Sequence, residues 1–364
     1  MRGLRRRLVR RAAISLGVLL GAVTPALAFD DSALARQAYD KIILPGYARF
    51  ASSAQALADE AKTLCTNPSE EALSATRTAA RTALLAWGRI EPLRFGPITL
   101  KQRADRLLFY PDAHGIVAKQ TAKLLARRDD ADIDPDKLAG ASVAVQGFGA
   151  LDIALFGGGA EALATPEGDF RCRYVRALAL DIAVTARDVY GEWQGEFGRL
   201  WLQPGTDNRT FLTPKETTQA LYRAYVTQLE VLRLQRLATL DGASAKPGTP
   251  LLPNSRLALP FILAGIEGQR DIVGEGGFLA DDLASTDVES GAIAILGSVA
   301  TDLGFAMRAG EAALAMAPDP LSDPAARARL TPMLLSLKNA ETVGRAALGE
   351  LTGQALGFNS LDGD

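Results

Sequence analysis

The feature that most limits what this chain can fold into is the spacing of its apolar residues, which keeps a helical period almost throughout. From Leu73 to Ile90 they recur at positions 73, 79, 80, 83, 84, 87 and 90. That is the i, i+3, i+4, i+7 pattern of a helix with one buried stripe. Pro68 and Ser69-Glu70-Glu71 just before it supply a start signal. Asp30–Leu64 reads as one long helix, with a break expected around Pro45-Gly46. Leu178–Phe197 reads as another, with Leu180, Ala183, Val184, Val189, Tyr190 and Trp193 on one side. At Thr213-Pro214-Lys215-Glu216 the spacing predicts an N-cap threonine, a first-turn proline and a glutamate at the third helical position, opening a helix towards Leu240. Further helices are expected over Asn254–Val273, Val288–Met316 and Pro324–Leu356. The sequence holds no alternating apolar–polar runs bounded by hairpin turns. An all-α fold follows, made of two up-and-down helical-bundle domains packed side by side. Hydrophobic residues make up 48% of the chain but aromatics only 6%. Alanine carries the difference, as suits helices whose backbones approach closely.

The first 28 residues obey different rules. Arg2, Arg5, Arg6, Arg7, Arg10 and Arg11 precede an apolar run from Ala12 to Val23, and Ala26-Leu27-Ala28 then forms a small-x-small site. This is the layout of a secretory signal peptide, with cleavage expected after Ala28 and the mature protein in the periplasm. The apolar run is shorter than the ~20 residues of a membrane span, and the mature chain is expected to have no transmembrane span. Without the six arginines, 34 basic residues face 42 acidic ones. That negative balance argues against a nucleic-acid partner. The only two cysteines, Cys65 and Cys172, are expected to form a disulfide in an exported chain, with two separate buried thiols as the alternative. The run Gln203–Asn208 marks an expected boundary between an N-terminal bundle over 29–205 and a C-terminal bundle over 206–364. Gly157-Gly158-Gly159 follows a helix and lacks the Lys-Ser/Thr of a phosphate loop, so it reads as a helix end running into a loop.

Four segments together resemble the imelysin-like family: AWGRIEPLRFGPI over 86–98, RLLFYPD over 106–112, QGFGALDIALFG over 146–157, and the tail LGFNSLDGD over 356–364. The resemblance implies two helical bundles with a functional site in the cleft between them. It also implies a periplasmic role linked to iron uptake, an envelope metal-uptake system as partner, and a metal ion, iron foremost, as the bound species. The family was named for a peptidase activity. Its Gly-x-His-x-x-Glu motif falls on Gly147, Gly149 and Asp152, so the imidazole is replaced by a glycine and the carboxylate is one methylene shorter. A Gly and an Asp at i and i+3 cannot share a metal as a His and a Glu can. The expected function is therefore a non-catalytic binding component. An interaction module with a relic site, or a peptidase, are the alternatives.

The chemistry-bearing residues support the same weighting. His114 is the sole histidine, so a zinc site of the HExxH kind cannot be built. It is either a loop histidine or a metal ligand in company with Asp112 or Asp152. Glu91, Asp112 and Asp152 could offer oxygen to a hard cation. Otherwise Glu91 pairs with Arg94 or Arg103, and Asp152 caps or bridges helices. Arg94, Arg103 and Arg106, near Tyr110, could hold an anionic ligand bidentately or neutralise Glu91 and Asp112. Trp87, Trp193 and Trp201 are expected in the core.

Overall fold

The computed structural model describes residues 29–237, 251–280, 283, 287–321 and 323–353. The signal-peptide reading of 1–28, the tail 356–364 and the expected end of the α-helix towards Leu240 lie outside the described residues. Fourteen α-helices appear among the described residues, with no strand. The first nine are α1 (Asp31–Ala38), α2 (Leu44–Thr66), α3 (Glu70–Ile90), α4 (Arg103–Leu107), α5 (Ile116–Arg127), α6 (Pro135–Ala139), α7 (Gly147–Phe156), α8 (Asp169–Gln194) and α9 (Glu196–Leu202). Then come α10 (Pro214–Glu230), α11 (Ala258–Val273), α12 (Asp287–Met316), α13 (Pro324–Ala328) and α14 (Thr331–Thr352).

The periodic segments form close to where the pattern predicts, except that α8 begins earlier and stops at Gln194, short of Phe197, and α11 begins at Ala258, not Asn254; their ends show what punctuates them. Ser69 caps α3, its side chain accepting from the Ala72 N–H. The break near Pro45 lies just upstream of that residue, as a π-helical turn over Tyr39–Ile43. Pro45 has no N–H to donate, and the widened turn, with Leu44 N–H reaching the Tyr39 carbonyl, lets the rod continue from α1 into α2. At α10, Thr213 makes no side-chain cap bond. Instead Glu216 reaches back to accept from the Leu212 N–H at 2.7 Å. The C-terminal pattern splits into α13 and α14, with Pro332 in the first turn of α14. On α8 the buried stripe runs through Leu178, Ile182, Ala186, Val189 and Trp193, whereas Leu180 is 42% exposed.

Helix α2 packs antiparallel against both α3 and α8, with α7 against α8. Tyr47 at the start of α2 stacks on Trp193 near the end of α8, and Phe50 lies 5.5 Å from Trp87 of α3. At the opposite end Cys65 and Cys172 form the expected disulfide, spanning 107 residues. Closing a loop of that length removes about 4–5 kcal/mol of chain entropy from the unfolded state. The second bundle is built from α10, α11, α12 and α14. Tyr222 and Tyr225 of α10 donate their hydroxyls to the Arg345 and Ala340 carbonyls of α14, each at 2.6 Å. Arg233 pairs with Glu341 at 2.9 Å, and Arg345 pairs with Glu230.

By length and composition, Ser290–Met316 is the one described helix that could cross a membrane, which the expectation of a span-free mature chain passes over. Leu296, Val299, Leu303, Ala306 and Gly310 nonetheless form a buried stripe on it, and the helix packs against α11 and α14.

The two bundles meet where α11 crosses α3. A Cβ on Gly268 would lie 1.9 Å from the Arg89 carbonyl oxygen, so only glycine allows this approach. Arg89 then forks onto Asp271 at 2.7 and 2.8 Å. Helix α1 also reaches across to α10. The connecting segment after α9 is held by the buried side chain of Asn208. That residue donates to the Leu200 and Gln203 carbonyls and accepts from the Thr210 and Phe211 N–H groups.

Candidate functional site

The degenerate motif lies on α7, whose first residue is fixed by backbone geometry. Gly147 has φ +63°, and a Cβ there would sit 2.1 Å from the Arg106 carbonyl oxygen and 2.3 Å from that of Leu107. The glycine thus lets α7 butt against the 106–107 segment. Arg106 is spent on the same junction: its Nε donates to Gln146 Oε1 at 2.7 Å and its Nη2 to Asp181 Oδ1 at 2.5 Å. Burial raises the Asp181 pKa above its ordinary value, and the Arg106 guanidinium opposes that shift.

Asp152 is buried on α7 and faces the other bundle. Its Oδ2 accepts from the Asn254 backbone N–H at 3.0 Å and from Asn254 Nδ2 at 2.8 Å, while Oδ1 accepts from the Ser255 N–H at 2.9 Å. The segment that it holds is strained: Leu252 and Arg256 have φ of +48° and +59°, a region costly for side chains other than glycine. Asp112, also buried, accepts from the Ile116 and Val117 N–H groups, each at 2.9 Å, and so caps α5. Between these carboxylates lies a cavity of about 80 Å³, open to the surface on one side, with Gly149, Tyr110, Val117 and Leu252 in its wall. A Cβ on Gly149 would meet only Val117, at 3.3 Å, so this glycine leaves space, where Gly147 meets a backbone constraint.

A second polar cluster is fully buried where the α3 C-terminus meets α10 and the π-helical turn Val231–Arg236 that continues it. Glu91 Oε1 accepts from Arg236 Nη2 at 2.5 Å, and Glu91 Oε2 accepts from Gln228 Nε2 at 3.1 Å. The Arg236 guanidinium lies between the rings of Tyr110 and Phe261, 5.1 and 4.9 Å from their centroids. Burial lowers the Arg236 pKa, with Glu91 pulling the other way. Arg94 stands 3.9 Å from Glu91 at the rim. Arg103 turns elsewhere, forking onto Glu192 at 2.6 and 2.9 Å and donating to the Pro97 carbonyl.

The fold therefore brings Tyr110, Asp112, Gly149 and Asp152 to one cavity and sends Arg103, Arg106 and Glu91 to structural pairs. His114 is exposed on the loop before α5. Arg236, Gln228, Asp181, Glu192, Asn254 and Ser255 complete these arrangements, and no local pattern in the sequence marks them. The residues at the motif do not fit a metal ion. Both Asp152 oxygens face N–H donors, Gly149 offers no imidazole, and among the described residues no three His, Cys, Asp or Glu side chains converge. Trp87, Trp193 and Trp201 are all fully buried.

The family model described as imelysin, Peptidase M75, matches residues 43–338. The crystal structure of an imelysin-like protein from Psychrobacter arcticum 273-4 superposes with a TM-score of 0.69 at 19% identity, covering 91% of this chain and 100% of that one. A structure named "putative iron-regulated protein A precursor", from Parabacteroides distasonis ATCC 8503, superposes with a TM-score of 0.61 at 15% identity, covering 87% and 95%. At such identities the likeness is one of fold. No curated protein sequence matches the chain significantly.

Proposed function

Because this chain belongs to the imelysin family, we propose that it is an exported, periplasmic binding component without catalytic activity, working in the setting of iron or metal uptake. Its site is the cleft between an N-terminal bundle (29–205) and a C-terminal bundle (206–364). One observation carries the non-catalytic part. The motif carboxylate, Asp152, accepts three N–H donors of the opposite bundle, and the position of the motif histidine is Gly149. A peptidase needs an activated nucleophile or a metal-bound water. A carboxylate held by three N–H donors beside a glycine supplies neither. The uptake setting is supported by the name of the Parabacteroides structure, and export by the layout of the first 28 residues. Two measurements test the reading. In iron-starved cells the chain should accumulate in the periplasmic fraction, beginning at Phe29. The purified protein should leave casein and insulin chains intact. Cleavage that an Asp152→Ala variant loses would refute the non-catalytic assignment.

Partner docking is a second reading, favoured by the exposure of Phe305 on α12 (53%) and Leu335 on α14 (64%). Crosslinking in intact cells through these two positions would separate it from ligand binding.

A further inference from the structure

We propose that the cavity beside Gly149 is a binding pocket for a compact, branched apolar group. This rests on reading the cleft as a binding site, and it names the chemistry that the site accepts.

The first argument is the state of the polar groups around the cavity. Four polar side chains line it: Tyr110, Asp112, Asp152 and Asn254. Each Asp112 oxygen already accepts a helix N–H. Each Asp152 oxygen accepts from Asn254 or Ser255, and the Asn254 amide nitrogen donates to that same carboxylate. The Tyr110 hydroxyl points to the Gln235 carbonyl at 3.4 Å. An ion or a strongly polar group entering here would lose its hydration and would have to compete with the hydrogen bonds that these side chains already make. The remaining wall is apolar, with Leu108, Val117, Ile153, Leu252 and Pro253, so an apolar group gains by leaving water.

The second argument is size and upkeep. At about 80 Å³ the space is roughly half the ~150 Å³ of a dry cavity that admits benzene or xenon. It suits an isopropyl or isobutyl group, and its open side allows that group to be carried on a larger molecule. A side chain at position 149 could occupy much of it, and nothing but Val117 stands in the way. The chain instead keeps glycine there and holds Leu252 in a left-handed conformation to form the wall. Strain of this kind persists only where surrounding contacts impose it, and here the Asp152 hydrogen bonds do so.

The experiment uses the mature chain, from Phe29 to the C-terminus. Crystals pressurised with xenon should show one xenon atom between Gly149 and Leu252, and 3-methylbutan-1-ol should raise the melting temperature where ethanol at equal concentration does not. Gly149→Leu should abolish both effects. Should that variant fail to fold, Val117→Ala widens the pocket and should confer stabilisation by benzene that the wild type lacks. Competition by a leucine-containing tripeptide would identify the group as borne on a peptide; its absence, with the alcohol still effective, would point to a free small molecule. A pocket filled by ordered water under xenon, or a zinc or iron ion bound against Asp152, would overturn the proposal. Water in the pocket leaves the functional reading untouched, whereas a bound metal would count against its non-catalytic part as well; periplasmic fractionation and the cleavage assay tell the two failures apart.

Discussion

Replacing Asp152 with asparagine keeps the side-chain shape and removes half of its acceptors, so it isolates the bond between the two bundles. The carboxylate takes three N–H groups, from Asn254 N, Asn254 Nδ2 and Ser255 N, at 3.0, 2.8 and 2.9 Å. An asparagine keeps one oxygen and turns an NH2 towards donors. If the oxygen stays with Asn254, the Ser255 N–H faces another donor, and an orphaned buried N–H costs about 1–3 kcal/mol. The two surviving bonds fall from charge-assisted to neutral strength, which weakens them by roughly half. Together the loss is about 2–4 kcal/mol. With an unfolding entropy of about 2.1 cal/mol/K per residue, a chain of this size has roughly 0.7 kcal/mol/K, so Asp152→Asn should lower Tm by about 3–6 °C. If the 251–255 segment detaches instead, Tm falls less, and amide exchange at Asn254 and Ser255 accelerates. Calorimetry and hydrogen exchange distinguish the two. A variant unchanged in both would mean that these hydrogen bonds do not hold the bundles together, and the reasoning would fail.

Three further outcomes follow from the geometry. Gly147→Ala should destabilise by more than about 3 kcal/mol, through a left-handed φ and a clash with two carbonyls, whereas Gly149→Ala should stay within about 1 kcal/mol; urea denaturation of the pair measures the contrast. Glu91→Ala strands the buried Arg236 guanidinium and should cost about 3–5 kcal/mol, and the double variant Glu91→Met/Arg236→Met should recover most of that loss in the same assay. The raised Asp181 pKa means that the folded state holds this proton more tightly than the unfolded chain. Its contribution is present below the unfolded pKa of about 3.9 and is lost as pH rises through the folded value. The stability of the wild type relative to Asp181→Asn should therefore decline from pH 3.5 upwards, and a relative gain over that range would contradict the burial argument.

The helices were legible because helix formation is local. The stripe from Leu73 to Ile90, the Ser69 cap and the breaker at Pro45 all act within a turn or two of themselves. Even there, the position of the break depended on backbone hydrogen bonding that the sequence only hints at: a missing N–H at 45 widens the turn at 39–43. The cysteine pair was legible because two cysteines allow one bridge. The site was legible only in part. Gly147, Gly149 and Asp152 could be placed through the resemblance, but their partners are remote. Asp152 binds residues 102 and 103 positions away, and Glu91 takes Arg236, 145 positions away. The sequence offers Arg94 and Arg103 as nearer candidates for Glu91. Arg103 is drawn off by Glu192, which projects from α8 in a geometry that only the assembled bundle creates.

Helix α8 is fastened at both extremities, and by different means. Near its first turn Cys172 is bonded covalently to Cys65 of α2. Near its last turn Trp193 sits among Tyr47, Phe95, Phe197 and Trp201 with ring centroids 4.8–6.2 Å apart. A rod clamped in this way cannot slide along its neighbour, so it serves as the stationary frame of the molecule. Reductants act on one clamp and leave the aromatic one intact. Such treatment should loosen the Cys172 end while the Trp193 end keeps its register, so amide exchange around Cys172 should accelerate while tryptophan emission stays unchanged.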